Sequence, residues 1–265
     1  MTGALNHLQI AAPQHNASVE RRVCRSLVAR YACTHTRKEH AYRIRYQGYL
    51  SHGYIAPHPN GILFDHFDHE IRAPSVVIYD DNQAVGTIRL CSFDSAQPGD
   101  LIDRLPSAGL FGLTKEKICA RFRIDDHEIR AIEVSKLAKI PAYESDLHVT
   151  MALFKMLKIL VTAMRTQVVF VAVRVPHMNL YRRLGFEVIE QPRYFSKDNV
   201  VLGLMACQPS DFGSIEDRAE RIFREPDSLK SNQRDDTANK FFKGEDIEIF
   251  PPSFGGNKME LRLVS

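Results

Sequence analysis

A long apolar segment followed by an apolar strand constrains the fold of this chain more than any other feature of its sequence. The segment predicts a helix that runs to about Arg165, with Ser145 or Asp146 as its N-cap and only a narrow polar stripe on its surface. Residues 168–173 (VVFVAV) then have the length and composition of a strand that is buried on both faces. Because a buried helix and a buried strand must cover one another, we predict a layered α/β fold.

The other predicted elements complete one mixed α/β domain around a central sheet. They are, in chain order, helices over residues 18–31 and from Arg37 towards Tyr49, a hairpin over 75–79 and 84–90, a strand over 129–137, a short helix over 179–184, and two strands within 185–206. We expect an N-terminal helical segment over residues 1–36, a folded domain over 37–208, and a polar extension over 209–265. The extension has no clear periodicity, so we expect it to be flexible or loosely docked.

The cysteines and the charges narrow the setting of the protein. Five cysteines without a C-x-x-C pair favour free thiols in a reducing cytoplasm. The apolar stretch at 149–164 contains Lys155 and Lys158 and is shorter than the roughly 20 residues that span a bilayer, so we predict no membrane span. Residues 1–207 carry 26 basic and 20 acidic residues, which favours an acidic partner, although ordinary solubility charge explains this excess equally well.

An acidic motif, FDHFDHE, places Asp65 and Asp68 three residues apart beside His66, His69 and Glu70. Carboxylates and imidazoles bind divalent ions, so the motif has the residue types of a metal site. Adjacent residues on one loop cannot all face one ion, however, and the sequence has no second cluster with ligand spacing. A solvated acidic turn is therefore the favoured interpretation, and we predict no metal site.

Charged residues inside predicted strands indicate a polar site. Arg89 ends the AVGTIRL strand and Glu133 lies within IEVSK, and a charge in such a half-buried position must be paired or must face a cavity. Six residues carry three positive and three negative charges: Arg45, Asp65, Asp68, Arg89, Glu133 and Lys136. If they converge, their charges balance and form a site for a zwitterion. Separate ordinary ion pairs are the alternative. The sequence has no G-x-S-x-G, G-x-G-x-x-G or P-loop motif, so covalent catalysis and nucleotide phosphate binding are disfavoured.

Five motifs follow one another in the order of a known family: RIRYQGYLSHGYI, FDHFDHE, AVGTIRL, IEVSKLAKIP and NLYRRLGFE. Over residues 42–206 the chain resembles the N-acyl amino acid synthases, which are related to the acyl-homoserine-lactone (autoinducer) synthases and belong to the GCN5-related N-acyltransferase superfamily. The resemblance implies an α/β fold with a mixed central sheet flanked by helices and a C-terminal extension. It also makes residues 37–208 an acyltransferase domain.

The resemblance implies roles for individual residues near the N-terminal side of the domain. Arg45 and Tyr49 occupy the family's Arg-x-x-x-aromatic positions, and Asp65 and Asp68 occupy its D-x-x-D pair. Arg89 stands at the family's strand-end arginine. All five are therefore expected to bind or position the substrate.

The family's E-x-S-R motif corresponds to Glu133, Ser135 and Lys136 in this chain. Lysine keeps the charge of the family's arginine but loses its planar fork, so its salt bridge is expected to differ. The chain contains no tryptophan, and HGYI stands where the lactone-making branch has one, which favours the amino acid branch. The acetyl-coenzyme A loop of ordinary members, Q/R-x-x-G-x-G/A, is also missing, so the expected acyl donor is a pantetheine thioester on an acyl carrier protein.

The implied reaction is amide formation, in which the nitrogen of an amino acid attacks a thioester carbonyl and a thiolate leaves. Glu133 is the expected general base acting through water, and Asp65 and Asp68 are expected to hold the ammonium group. Arg45 and Arg89 would pair with these acids or with the substrate carboxylate. The remaining residues expected at the substrate are Tyr49, Ser135 and Lys136.

We expect the strand near residues 132–135 to diverge from the strand at 168–173, so that the pantetheine enters a gap between them. Backbone N–H groups there would stabilise the oxyanion, and Tyr181 would protonate the leaving sulfur. A tyrosine that is simply packed in the core is the alternative for Tyr181. No cofactor is implied, because the phosphopantetheine thioester is a substrate.

An acyl carrier protein and an amino acid are the expected partners of a monomeric enzyme that binds no nucleic acid. Basic residues that could contact an acidic carrier are Arg21, Arg22, Arg25, Lys155 and Lys158. Two other functions stay open. One is a lactone synthase that uses S-adenosylmethionine, and the other is a catalytically silent basic module that binds a carrier protein or nucleic acid.

Overall fold

An eight-stranded mixed sheet runs through the part of the chain that the structure, a computed structural model, describes: residues 26–196, 199–209 and 231–250. Its strands are β1 (Leu27–Tyr31), β2 (Ser75–Asp80), β3 (Gln83–Asp94), β4 (Arg130–Lys139), β5 (Val168–Arg174), β6 (Glu187–Phe195), β7 (Val200–Cys207) and β8 (Ile247–Phe250). Their order is β6-β7-β5-β4-β3-β2-β1-β8. Only β4 and β5 pair in parallel among these described strands. The prediction of a mixed central sheet is therefore confirmed.

Helices flank this sheet within the described ranges. They are α1 (His35–Ser51), α2 (Pro106–Phe111), α3 (Lys115–Phe122), α4 (Leu147–Ala163), α5 (Met178–Arg183) and α6 (Ser231–Phe242). Short 3-10 turns lie at His66–His69, Ile102–Arg104, Pro141–Tyr143 and Val175–His177. The side chain of Asp146 accepts hydrogen bonds from His148 and Val149 at the start of α4, which confirms one of the two predicted N-caps.

Different helices pack against the two faces of the central strands. Side chains alternate along a strand, so Ile88 and Leu90 on β3 point to one face and Arg89 points to the other. Ile88 and Leu90 belong to the apolar cluster that contains the buried side of α4. Phe93, which shares the face of Arg89, packs in a second cluster with residues of α2 and α3. Helix α4 and the pair α2 and α3 therefore lie on opposite sides of the sheet.

The pairing between the parallel strands β4 and β5 stops before either strand ends. The last pair is Val134↔Val171, whereas β4 continues to Lys139 and β5 to Arg174. A gap therefore opens between the two strands toward their C-terminal ends. The sequence predicts divergence at residues 132–135. The gap begins slightly later, because backbone pairing with β5 continues through residue 134.

A β-bulge in β4 lies where this gap begins. Lys136 and Leu137 together face the single residue Ile88 of β3, since the register shifts between the pairs on either side. Lys136 has a φ of 53°, in the left-handed region that non-glycine residues seldom adopt. A bulge bends its strand and changes the direction of a side chain. The same bulge can therefore open the gap and turn Lys136 to a new direction.

The helix predicted over residues 18–31 is wrong in its second half, because Leu27–Tyr31 forms β1. Residues 18–25 lie outside the described residues. Leu27 and Ala29 are fully buried and alternate with more exposed neighbours, which is the period of a strand. A segment of five residues is too short for its pattern to distinguish the period of a helix from that of a strand. Pairing with β2 on one side and β8 on the other makes it a strand.

The C-terminal extension is not loosely docked over residues 231–250, where it forms α6 and β8. Strand β8 adds to the open edge of β1, and Asp246 accepts hydrogen bonds from Nε and Nη2 of Arg30 at 2.8 and 2.7 Å. The Nζ of Lys155 on α4 donates to the carbonyl of Ile249 at 3.0 Å. Lys155, a predicted contact for a carrier protein, is therefore engaged by the extension instead.

Candidate active site

The motif that contains Asp65 and Asp68 folds into a 3-10 turn held by its own carboxylates. Asp65 caps the turn by accepting a hydrogen bond from the N–H of Phe67 at 3.1 Å, and Asp68 accepts one from the N–H of Asp65 at 3.0 Å. This reciprocal capping fixes the direction of both carboxylates. The side chain of Asp68 is only 2 % exposed, so the interpretation as a solvated turn is wrong for this residue.

Two buried arginines neutralise these carboxylates. Arg45, on the inner side of α1, donates to Asp68 Oδ1 at 2.7 Å and to Ser75 Oγ at 2.7 Å. Arg89, on β3, lies 2.5 Å from Asp65 Oδ1 and 3.0 Å from Asp68 Oδ2. Both guanidinium groups are buried, and a buried charge is tolerated only when such partners surround it.

The bulge in β4 brings Lys136 to the same place. Its Nζ lies 3.0 Å from Asp65 Oδ2. The resulting ion network consists of Arg45, Asp65, Asp68, Arg89 and Lys136. The side chains of Lys136 and Asp65 are 23 % and 29 % exposed, whereas the other three members are at most 2 % exposed. A ligand can therefore reach the ion network through Lys136 and Asp65.

Asp65 and Arg89 stay ionised near neutral pH. Burial alone would raise the pKa of Asp65, but the hydrogen bond from Arg89 and the charge of Lys136 outweigh it and hold that pKa well below its usual range. Burial would lower the pKa of Arg89, but the hydrogen bond to Asp65 and the negative charges around the guanidinium together outweigh it, so that pKa lies above its ordinary value. Three cations and two carboxylates leave one formal positive charge.

Glu133 lies beside the ion network but has a different partner. Its Oε2 accepts a 2.7 Å hydrogen bond from the backbone N–H of Ser107 and a second one from the Ser107 hydroxyl. Burial raises the pKa of Glu133 to about 7, although the two hydrogen bonds and the charge of Arg89 oppose this rise. Near neutral pH this carboxyl can therefore accept or release a proton, as a general base must.

Sequence reasoning missed Ser107 and the two helices α2 and α3. Ser107 lies in the first turn of α2, and Glu133 satisfies one of the N–H groups that a helix start leaves without a partner. Pro106 at the first helical position is a helix-start signal that could have located α2. Nothing in the local sequence identifies an acceptor 26 residues away, however.

Cys91 is the strand partner of Glu133 and shares a face with Arg89. Burial raises the pKa of its thiol to about 12, although the charge of Arg89 opposes this rise. The Sγ lies 3.9 Å from Ser135 Oγ, which also accepts a 3.1 Å hydrogen bond from Arg89 Nε. A thiol that stays protonated is a poor nucleophile, so this cysteine offers no route to covalent catalysis.

Tyr49 and Tyr181 lie outside the ion network. Tyr181, on α5, packs edge-on against Phe154 and Phe186, with ring centroids 6.2 and 5.3 Å apart. Burial, with a smaller contribution from Tyr49, raises the pKa of Tyr181 above its ordinary value, so its hydroxyl keeps its proton. The aromatic packing agrees with the alternative of a core tyrosine, and the retained proton is what an acid needs.

The structure brings together most of the residues that the sequence singles out. Six of them meet in the ion network or touch it: Arg45, Asp65, Asp68, Arg89, Ser135 and Lys136. The expected balance of three cations and three anions is wrong, because Glu133 is held by Ser107 and forms no ion pair within the described residues. The charge of Arg89 nevertheless acts on it.

The histidines of the acidic motif pack against aromatic rings. His66 lies against Phe67 with ring centroids 3.9 Å apart, and His69 meets Phe64 edge-on at 5.9 Å. Across residues 26–196, 199–209 and 231–250, no three His, Cys, Asp or Glu side chains group so that they could hold a metal ion. Over the same ranges, no helix is both long and apolar enough to cross a membrane.

Two solved structures have a similar fold. FeeM, an N-acyl amino acid synthase from uncultured soil microbes, is 17% identical, aligns over 72% of this chain and 94% of its own, and has a TM-score of 0.56. BjaI, a CoA-dependent acyl-homoserine lactone synthase solved with MTA, is 13% identical over 80% of this chain and 99% of its own, with a TM-score of 0.52. The fold is thus that of the GCN5-related N-acyltransferases, as the resemblance implies.

The sequence itself identifies the family within this fold class. A family model described as N-acyl amino acid synthase FeeM matches residues 40–208, which is more than half of the chain. The chain therefore belongs to the FeeM family of N-acyl amino acid synthases, and it is an acyltransferase. A search of curated protein sequences found no significant match. Family membership removes the alternative of a catalytically silent binding module.

Proposed function

We propose that this enzyme transfers a long-chain fatty acyl group from an acyl carrier protein to the α-amine of an amino acid. The observation that carries the proposal is the ion network, which exposes one cation and one carboxylate beside a gap between two strands. A free amino acid carries the complementary pair of charges. A thioester on a slender pantetheine arm fits an opening between strands.

Asp65 and Lys136 are the members of the network that reach the substrate in this proposal. Asp65 receives the ammonium group, and Lys136 receives the carboxylate, because these two side chains retain exposure. Asp68, Arg45 and Arg89 are buried and act as positioning residues that hold Asp65 in place. The spare positive charge of the network favours a ligand that brings an additional carboxylate charge.

Glu133 is the general base of the proposed reaction. The bound ammonium must lose a proton before its nitrogen can attack, and a carboxyl with a pKa of about 7 accepts that proton near neutral pH. A water relays the proton, because the side chain is buried on Ser107. The nitrogen then forms a bond to the thioester carbon and releases its second proton to water, and the C–S bond of the tetrahedral intermediate breaks to expel the thiolate.

The gap between β4 and β5 supplies the groups that stabilise the intermediate. Beyond Val134 the two strands no longer pair, so their facing N–H groups are free to donate to an oxyanion. Tyr181 gives its proton to the leaving thiolate, and its raised pKa keeps that proton available until then. Tyr49 contributes to the raised pKa of Tyr181 and so lies near it.

Mass spectrometry of the reaction mixture tests the proposal directly. The full chain is incubated with dodecanoyl acyl carrier protein and the twenty amino acids, and in parallel with dodecanoyl-coenzyme A. We expect N-dodecanoyl products of one or a few amino acids, formed faster from the carrier protein. If neither donor yields an N-acyl amino acid, the proposed function fails.

Two substitutions test the assignment of the substrate charges. Asp65→Asn and Lys136→Met should each raise the KM for the amino acid about tenfold, the effect of losing roughly one charge-assisted hydrogen bond. The matched control is Lys243→Met, an exposed lysine in the extension. A KM that changes equally in all three variants would remove Asp65 and Lys136 from the binding site.

A lactone synthase is the second candidate, because BjaI shares the fold and its structure has also been solved with SAM and isopentyl-CoA, at 14% identity and a TM-score of 0.51. The same assay with S-adenosylmethionine in place of the amino acids separates the two functions. An acyl-homoserine lactone in the product spectrum would replace the amino acid proposal.

A further inference from the structure

The open end of the gap between β4 and β5 is crossed by a contact between two distant segments. Strand β5 ends at Arg174, three residues beyond its last pair with β4. On the other side, the C-terminal end of α1 rests on β4, since a Cβ at Gly48 would lie 2.6 Å from the carbonyl oxygen of Lys139. The guanidinium carbon of Arg174 lies 3.6 Å from the ring centroid of Tyr54, just after α1. Arg174 therefore stands at the entrance to the gap.

The ring of Tyr54 orients Arg174 without neutralising it. A second ring, that of His52, stacks on Tyr54 with centroids 5.2 Å apart and an interplanar angle of 23°. Within residues 26–196, 199–209 and 231–250, no carboxylate forms an ion pair with Arg174. A guanidinium held by its face keeps the N–H donors along its edge, and those donors match the oxygens of a phosphate.

His177 adds a third nitrogen base at this entrance. It ends the 3-10 turn that follows Arg174 and is exposed. Partial burial and the charges of His52 and Arg174 lower its pKa, so His177 lies near both groups. The acid that approaches them is Glu144, whose carboxylate lies 3.5 Å from His52 Nε2. Among these described residues, Arg174 is a permanent cation, His52 and His177 add two imidazoles, and Glu144 is the carboxylate beside His52.

We propose that Arg174, assisted by His52 and His177, binds the phosphate of the 4′-phosphopantetheine arm of the acyl donor. This inference rests on the proposed function. The thioester end of the arm lies in the gap, so the phosphate at the opposite end of the pantetheine stays outside, where Arg174 and the two imidazoles lie. Arg174 provides a planar pair of donors to the phosphate oxygens, and the imidazoles provide further N–H donors.

Unreactive thioethers test this phosphate site without requiring acyl transfer. Calorimetry compares S-dodecyl-4′-phosphopantetheine with S-dodecyl-pantetheine, which lacks the phosphate. We expect the phosphorylated compound to bind about tenfold more tightly, as roughly one charge-assisted contact would give, and Arg174→Gln to abolish that preference. His177→Gln should reduce it by about half as much on a free-energy scale. The control is Arg121→Gln, which removes an exposed arginine from α3 and should leave the preference intact.

Equal affinity of the wild-type protein for both thioethers would overturn the proposal. So would an Arg174→Gln variant that weakens both compounds equally, because that pattern indicates a structural role of the Tyr54 contact. Thermal melting of the variant checks that it is folded, and Arg174→Lys, which keeps the charge, should retain part of the preference. A phosphate preference that persists while the acylation assay yields no product would separate this site from the proposed function.

The same phosphate occurs in coenzyme A, so S-dodecyl-coenzyme A is the third probe. If the site binds the shared phosphate, Arg174→Gln should lower the affinity for this compound by the same factor as for S-dodecyl-4′-phosphopantetheine. If the substitution weakens the coenzyme A compound alone, the residue binds the nucleotide part, and the proposal is wrong. In the wild-type protein, we expect equal affinity for the two phosphorylated probes. This result would show that the nucleotide part of coenzyme A adds nothing to binding and that the phosphopantetheine arm, the part a carrier protein also presents, is sufficient.

Discussion

The two faces of β3 and β4 differ sharply over residues 88–91 and 132–135, although the same strands form both. The core face, which packs with α4, consists of Ile88, Leu90, Ile132 and Val134. The polar face carries Arg89, Cys91, Glu133 and Ser135. Because side chains alternate along a strand, one pair of strands supplies apolar burial on one side and a wall of ionisable groups on the other. The comparison teaches that stability and chemistry can be assigned to neighbouring residues of one strand.

The largest expected effect separates the two faces by activity. Glu133→Gln should lower kcat/KM for amide formation about 10²- to 10⁴-fold, because glutamine accepts the Ser107 hydrogen bonds but no proton. The control on the core face is Val134→Ala, which should cost stability and leave kcat nearly unchanged at a temperature where the variant is folded. Comparable losses of kcat in both variants would break the distinction between the faces.

The second effect concerns the stability that the polar face itself requires. Arg89→Met removes the buried partner of Asp65 and one of the two buried partners of Asp68, so the free energy of unfolding should fall by about 3–5 kcal/mol in urea titrations. Leu90→Ala, the neighbour on the core face, should cost about 2–5 kcal/mol through lost burial and a cavity. Arg89→Lys should lose less than Arg89→Met. If Arg89→Met were as stable as the wild type, the ion network would not hold the turn at Asp65.

The third effect is a pH dependence that only the polar face can show. The pKa of Glu133 is about 7 in the folded protein against 4.5 for the free side chain, so the folded state binds more protons between these values. Its contribution to stability is complete below pH 4.5 and is lost as the pH rises through 7. The free energy of unfolding of the wild type, minus that of Glu133→Gln, should fall by about 3 kcal/mol over this interval. A difference that does not vary with pH would contradict it.

The smallest effect sharpens the role of Ser107. Its hydroxyl lowers the pKa of Glu133, so Ser107→Ala should raise that pKa and move the acidic limb of the kcat/KM profile to higher pH. Ser107→Thr keeps the hydroxyl and should leave the limb in place. An unchanged limb in Ser107→Ala, with full activity at high pH, would mean that the profile reports another group.

Elements with a strong local pattern were predictable from the sequence. The hairpin of β2 and β3, the helix α4 with its Asp146 cap, and the strand β5 are confirmed, because their periodicity and caps are properties of neighbouring residues. β1 and β8 were not predictable in this way. Each is short, and each becomes a strand through pairing with residues far away in the chain.

The candidate site likewise has a part that was predictable from the sequence and a part that was not. The charges of Arg89 and Glu133 were recognisable, because an ionised residue in a half-buried strand needs a partner. The partners themselves were only partly foreseen. Ser107 lies in a segment with weak patterns, and the bulge that turns Lys136 toward Asp65 depends on the register between β3 and β4.

The order of residues along this chain determined which groups are available: a buried helix and strand, two acids three positions apart, and charges that a sheet cannot bury alone. Tertiary structure decided which of them meet. Hydrogen bonds and ion pairs act over a few ångströms, and the groups that complete this site come from separate helices, turns and strands. Only the assembled sheet, with its bulge and the gap beyond Val134, brings them within that range.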